Sequence, residues 1–265
     1  MRFEFGKNWQ QFLSVLNQER IDEAEKSLKK MLAVDSLKEK RFLDVGSGSG
    51  LFSLAARRLG ARVHSFDYDP KSMACTQELK RRYFPDDPEW DVEQGDVLKR
   101  SYLYSLGQFD IVYSWGVLHH TGSMWQALEN VAPLVAPGGT LFIAIYNYQE
   151  FWSTFHTIMK RSYVRAPRIR KCLMVWSFVL YRVTKGIIVD TALLRNPLQR
   201  YRNKKKSRGM SVWHDWIDWL GGYPFEVAKP EEIFDFYKKK GFTLINLKTC
   251  GGGHGCNEYV FKKEV

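Results

Sequence analysis

Cysteine is scarce in this sequence, and long apolar runs are absent. Cys75, Cys172, Cys250 and Cys256 are the only four among 265 residues. Their spacing forms no paired framework, which argues against a disulfide-stapled scaffold and for a reduced, intracellular and cytoplasmic protein. The longest apolar stretch, Leu173 to Tyr181, is far shorter than the roughly 20 residues that cross a bilayer, so no span is expected. The opening residues MRFEFGKNWQ lack the apolar segment of a signal peptide. Disorder is excluded as the main state, because 45% of residues are hydrophobic and 15% aromatic, enough to bury a large core.

Acidic residues are missing from one region only. Phe151 to Gly209 holds fifteen Lys or Arg and a single acid, Asp190, a local charge of +14 within a chain of net charge +11. The remainder is slightly negative, so the chain reads as a mildly acidic domain carrying a basic insert.

Residues 8–37 have apolar positions at helical spacing. From Arg41 short apolar strands alternate with helical patterns, the signature of βαβ units and a parallel sheet. Strands are expected at 41–45, 61–67, 91–96, 109–114 and 140–147, and helices at 51–59, 70–83 and 123–135. Pro137-Gly138-Gly139 reads as a turn before the fifth strand. Beyond the insert, a helix over 230–240 precedes strands at 242–250 and 258–264.

The first strand runs into Asp44-Val45-Gly46-Ser47-Gly48-Ser49-Gly50, where glycines allow a tight turn and close approach of a ligand to the backbone. A nicotinamide fingerprint needs a third glycine at position 51, but Leu51 stands there. Asp67 closes the second strand, where a carboxylate can accept both hydroxyls of a ribose. With Asp44 and Asp96 it makes a row of acids at strand ends.

DVGSGSG, FDYDP, QGDVL, FDIVYSWGVLHH and PGGTLFIAIYN, in this order, resemble the successive motifs of class I S-adenosylmethionine-dependent methyltransferases. The likeness is greatest to small-molecule methylases of the quinone-biosynthesis type. FGKNW, GGYPFE and GGGHGCNEYVF also resemble a bacterial subgroup described only as methyltransferases. The resemblance implies an α/β, Rossmann-like doubly wound, mostly parallel seven-stranded sheet. It divides the chain into a helical cap (1–40), a cofactor-binding core (41–147), a basic helical lid (148–229) and a closing segment (230–265). It further implies that Gly46, Gly48 and Gly50 flank the methionine part of S-adenosyl-L-methionine, Asp67 the ribose, and Asp96 with Val97 the adenine. Asp44 would help hold the amino group, and Ser114 joins the cofactor set.

Ligands of open parallel sheets sit beyond the carboxyl ends of the strands. Three loops therefore converge on one pocket, bringing His119, His120, Tyr146, Asn147, His254 and Asn257 together. Trp115 lies beside them, and His214 and Tyr223 return from the insert as further acceptor contacts. Methyl transfer requires alignment and removal of the acceptor's proton, a task suited to His119 or His120. Adjacent side chains diverge, so only one of the two is expected to face the acceptor. Strand four ends in SWGV, without the Asp/Asn-Pro-Pro-aromatic pattern of enzymes that methylate nucleobase amino groups. A hydroxyl acceptor is preferred on that ground. The spacing of Cys250, His254 and Cys256 fits no zinc ribbon, and no metal is expected.

The middle of the insert, 171–182, is apolar all round and must be buried, pair with a copy or lie on a membrane. Basic clusters flank it. A small, amphiphilic or anionic acceptor and an anionic membrane surface are the expected partners, with nucleic acid ranked behind because no RNA-binding module is present. The expectation is O-methylation, the alternatives being an RNA methyltransferase and a catalytically silent binding subunit. Nothing in the sequence fixes an oligomeric state.

Overall fold

A computed structural model describes residues 9, 13–14, 16–193, 196, 219–251, 253 and 255–265. The order of elements is α1 (Gln18–Leu32), β1 (Arg41–Val45), α2 (Leu51–Arg58), β2 (Arg62–Asp67), α3 (Pro70–Tyr83), β3 (Trp90–Gln94), α4 (Arg100–Leu106), β4 (Phe109–Trp115), α5 (Met124–Val131), β5 (Val135–Tyr146), α6 (Glu150–Arg165), α7 (Arg168–Ala192), α8 (Pro230–Lys238), β6 (Phe242–Lys248) and β7 (Cys256–Lys263). Seven strands form one sheet in the order β3-β2-β1-β4-β5-β7-β6. The first five are parallel, and β7 enters antiparallel between β5 and β6. This is the Rossmann-like arrangement that the sequence resemblance implies.

Neighbouring residues of β1 fall into different cores. Phe42 packs with Leu54, Leu79 and Val260 on one face, while Leu43 packs with Leu128, Ile233 and Tyr237 on the other. A strand covered on both sides needs apolar residues at successive positions, which is why RFLDV does not alternate with polar ones. The strand order reverses between β2-β1 and β4-β5, so the crevice of the fold opens beside β1.

Three sequence expectations need revision. The long N-terminal helix is interrupted at Asn17, whose extended backbone and side-chain bond from Arg20 N–H begin α1 afresh. Strand β5 starts at Val135, so Pro137 to Gly139 lies inside it. The register shift opposite Phe109 and Ile111 absorbs the irregular residues. Helix α4 was not expected at all.

Gly46 and Gly107 both have positive φ, +81° and +74°, a region that L side chains adopt at a cost. They differ in surroundings: a Cβ on Gly46 would stand 2.4 Å from Val117 Cγ1, whereas one on Gly107 meets nothing within 4 Å. Gly107→Ala should cost about 1 kcal/mol and Gly46→Ala about 2–4 kcal/mol, because a packing clash adds to backbone strain. Equal denaturation midpoints for the two variants would contradict the close packing of this turn.

Candidate active site

The turn after β1 is fixed from below and from the side. Gly46 and Ser47 N–H both donate to Phe66 O, and Ser47 Oγ lies 2.8 Å from Thr76 Oγ1. Gly50, with φ +79°, backs onto the Thr76 backbone. Asp67 ends β2 beside this turn and accepts from Gly48 N–H at 2.9 Å and from Asp69 N–H at 2.9 Å. Its carboxylate is thereby oriented at the crevice, with lone pairs left for further donors. Burial raises its pKa to about 6, against the lowering effect of those backbone bonds.

Asp44 lies deeper. Its side chain is buried beneath the turn and accepts from Ser53 Oγ, which accepts from Ser65 Oγ, which in turn accepts from Trp90 Nε1. Burial pushes Asp44 up to about 7; the Ser53 bond works against this and the Asp67 charge with it. At the end of β3, Asp96 closes a turn by accepting from Leu98 N–H, and Val97 is buried with its carbonyl bonded to Asn130. Ser114 departs from expectation: its side chain is fully buried and donates to Val45 O. The hydroxyl ties β4 to β1 instead of lining the crevice.

The other bank is built from a single 3-10 turn, Leu118–His120, and the ends of β4 and β5. His119 is wholly buried, and its Nδ1 accepts the Tyr146 N–H at 3.3 Å. An amide can only donate, so the His119 proton sits on Nε2. Burial, with smaller contributions from His120 and Lys160, holds its pKa well below the usual histidine value. His120 has the opposite tautomer. Its Nδ1 lies 2.6 Å from Pro224 O, a pure acceptor, so Nδ1 carries the proton and Nε2 the lone pair. Burial is the main reason that its pKa falls to about 4. His119 is sealed in the fold, while His120 is half-buried.

Tyr146 packs against both imidazoles and Phe225, tilted against His119 and Phe225 with ring centroids at 4.3 Å and 5.0 Å, and edge-on to His120 at 5.6 Å. Trp115 is 43% exposed at the tip of β4. The two asparagines are bonded to each other. Asn257 is buried, donates to Asn147 Oδ1 at 3.0 Å and accepts from Cys250 N–H at 3.0 Å. Its side chain thereby links Cys250 to Asn147 at the end of β5. Tyr223 packs beside Tyr163, Val175 and Leu220, joining the returning chain to the insert. His214 and His254 lie outside the described residues. Among the described residues, no three His, Cys, Asp or Glu side chains converge on a possible metal position.

Lys160 was not anticipated. It is wholly buried on the inner face of α6, where its Nζ donates to Trp219 O and lies 4.4 Å from the Trp219 ring centroid and 4.9 Å from that of Phe225. The spacing Ser153, His156, Lys160, Tyr163, all buried, was the available signal, since it places Lys160 on the covered stripe of the helix. A second unanticipated neighbour is Trp9, whose ring lies 3.2 Å from where a Cβ on Gly48 would stand.

A family model described as a methyltransferase domain matches residues 43–141. The chain is 32% identical over 135 residues to ubiquinone biosynthesis O-methyltransferase of Coxiella burnetii (strain Dugway 5J108-111), covering 49% of this chain and 53% of that protein. It is 34% identical over 112 residues to tRNA U34 carboxymethyltransferase of Methylococcus capsulatus (strain ATCC 33009 / NCIMB 11132 / Bath), covering 42% of this chain and 33% of that one. The chain thus spans about half the length of the first relative and a third of the second. Magnesium protoporphyrin IX methyltransferase of Synechocystis PCC 6803, solved with bound SAH, superposes with a TM-score of 0.56 at 12% identity. That match covers 92% of this chain and 83% of the other, a likeness of fold.

Proposed function

We propose that this chain, which carries a class I S-adenosylmethionine-dependent methyltransferase domain over residues 43–141, methylates an oxygen of a small or amphiphilic acceptor. The observation that carries the reading is a juxtaposition at one sheet edge. Asp67 and the glycine turn form one bank of the crevice, and the His120 Nε2 lone pair belongs to the other.

The residues present suit the cofactor. A turn with glycine at every second position, a carboxylate anchored beside it and an acid at the end of β3 offer acceptors and close approach where a nucleoside amino acid needs them. Gly46, Gly48 and Gly50 would hold the methionine portion, with Asp44 buried beneath them and bracing the turn's surroundings through Ser53. Asp67 would take the ribose hydroxyls, and Asp96 with Val97 the adenine. When bound, the cofactor supplies an electrophilic methyl group on a sulfonium. This chain's own part is to align the acceptor, by Tyr146 and Trp115, and to receive the hydroxyl proton at His120 Nε2. His119 buttresses Tyr146 by accepting its backbone N–H and by a tilted ring contact.

Nucleic acid is the second reading, supported by the basic insert and by the tRNA-modifying relative. Incubating a cell extract with the protein and methyl-deuterated cofactor, then separating small molecules from RNA, distinguishes the two by mass spectrometry. Label in the small-molecule or lipid fraction is the expected result. Label in RNA alone would replace the first reading with the second, and label in neither fraction would count against both.

A further inference from the structure

Helix α7 is longer than the apolar run legible in the sequence. It extends over 25 residues, and an 18-residue window has mean hydropathy 1.6 with only 11% of it buried. By length and composition it could cross a membrane, contrary to the sequence expectation. Its packing points elsewhere. Val175 joins Tyr163, Val164 and Leu220 in a small core, and Gly186 and Asp190 are buried farther along, so the helix lies against the domain along one side.

Much of its other surface is apolar and exposed. Ile169, Leu173, Trp176, Leu180 and Ile187 follow one another at helical spacing and form a single stripe, from 46% exposed at Ile187 to 79% at Ile169. Phe151, Phe155 and Ile158 are likewise exposed on α6, Phe151 at 71%. Contiguous apolar surface of this kind marks a binding face. The charges around it have one sign. Over the two helices, 150–192, there are eight Lys or Arg, of which Lys160 is buried, against the exposed Glu150 at the start of α6 and the buried Asp190, so the exposed charge is strongly positive.

We propose that this stripe docks on an anionic lipid bilayer, its aliphatic and aromatic side chains entering the interface and the surrounding Arg and Lys meeting head-group phosphates. A second copy is disfavoured, because a two-fold contact would set the same basic residues against each other. RNA would meet the charges but leave the aliphatic stripe in water. Helix α6 starts four residues beyond Tyr146, so the docked face adjoins the acceptor side of the crevice. The proposal does not depend on the methyltransferase reading, and its test involves no turnover.

Sedimentation of the full chain with phosphatidylcholine vesicles, with and without phosphatidylglycerol, provides that test. The protein should pellet with the anionic vesicles and be released as salt rises, since charge attraction is screened over about 8 Å at physiological ionic strength. Leu173→Gln with Trp176→Gln and Leu180→Gln should weaken binding roughly tenfold or more. Arg168→Gln with Arg170→Gln and Lys171→Gln should remove the preference for anionic vesicles. Phe151→Gln with Ile158→Gln, on the neighbouring helix, should weaken binding too if α6 enters the same interface, and circular dichroism checks that each variant is folded. Failure to bind anionic vesicles, or wild-type binding by the folded apolar triple variant, would overturn the proposal. So would light scattering that shows a dimer lost in the apolar triple variant, or RNA binding lost in the basic triple variant while vesicle binding persists.

Discussion

His120→Ala is expected to lower turnover by about 10²–10⁴-fold, the range for removal of a positioned general base, while cofactor affinity stays near that of wild type. The neutral imidazole is the form that accepts a proton, and its pKa of about 4 keeps it neutral throughout the physiological range. Two acid limbs should therefore appear in kcat/KM. Asp67, raised to about 6, must ionise to accept ribose hydroxyls, so the profile falls first as pH drops through about 6. Protonation of His120 adds a second fall near 4, and that lower limb should vanish in the alanine variant. His119→Ala behaves differently. It strips the Tyr146 N–H of its acceptor inside the fold, which costs about 1–3 kcal/mol of stability, and its rate defect should follow from that loss of position. Equal rates for His120→Ala and wild type, with methyl transfer established, would leave catalysis to alignment by Tyr146 alone.

Lys160→Ala carries the largest expected stability effect, about 2–5 kcal/mol, because it opens a cavity and leaves the Trp219 carbonyl without its donor inside a packed aromatic cluster. The lysine fastens α6 to the returning chain at Trp219 and Phe225. Its loss should loosen the insert from the Tyr146 side of the crevice. Chemical denaturation measures the first effect. Lys160→Met, which restores most of the packing but not the hydrogen bond, should recover part of the stability. Wild-type stability in Lys160→Ala would show that the insert is held by its apolar contacts alone.

Legibility in the sequence followed the range of the interactions involved. Strand β1 falls at 41–45 as its apolar run indicates, and α3 at Pro70–Tyr83, because Asp69 caps it through a local bond to Lys71 N–H and Pro70 occupies its first turn. Helix α4 escaped notice, since Arg100–Leu106 is short and lacks a capping side chain. The site divides the same way. The glycine turn and Asp67 are connected by a bond across 19 positions of a βα unit, within reach of motif reasoning. The Asn147 to Asn257 bond spans 110 positions and that from His120 to Pro224 spans 104. No local pattern distinguishes an asparagine that bonds to a distant asparagine from one that does not, or a sealed histidine from its half-buried neighbour. Ser114 was misjudged for the same reason: its bond to Val45 depends on the pairing of β4 with β1.

The most direct test of the central claim is calorimetric titration of S-adenosylhomocysteine into the wild-type chain and into Asp67→Ala. The wild type should bind at a single site, with affinity declining as pH falls below about 6, because protonation removes the carboxylate that accepts the ribose hydroxyls. Asp67→Ala should lose about 1–3 kcal/mol, roughly 5- to 150-fold in affinity, and the pH dependence should shrink with it. Binding of equal strength in both proteins, or no binding to the wild type, would contradict the assignment of the crevice between the glycine turn and Asp67 to this cofactor.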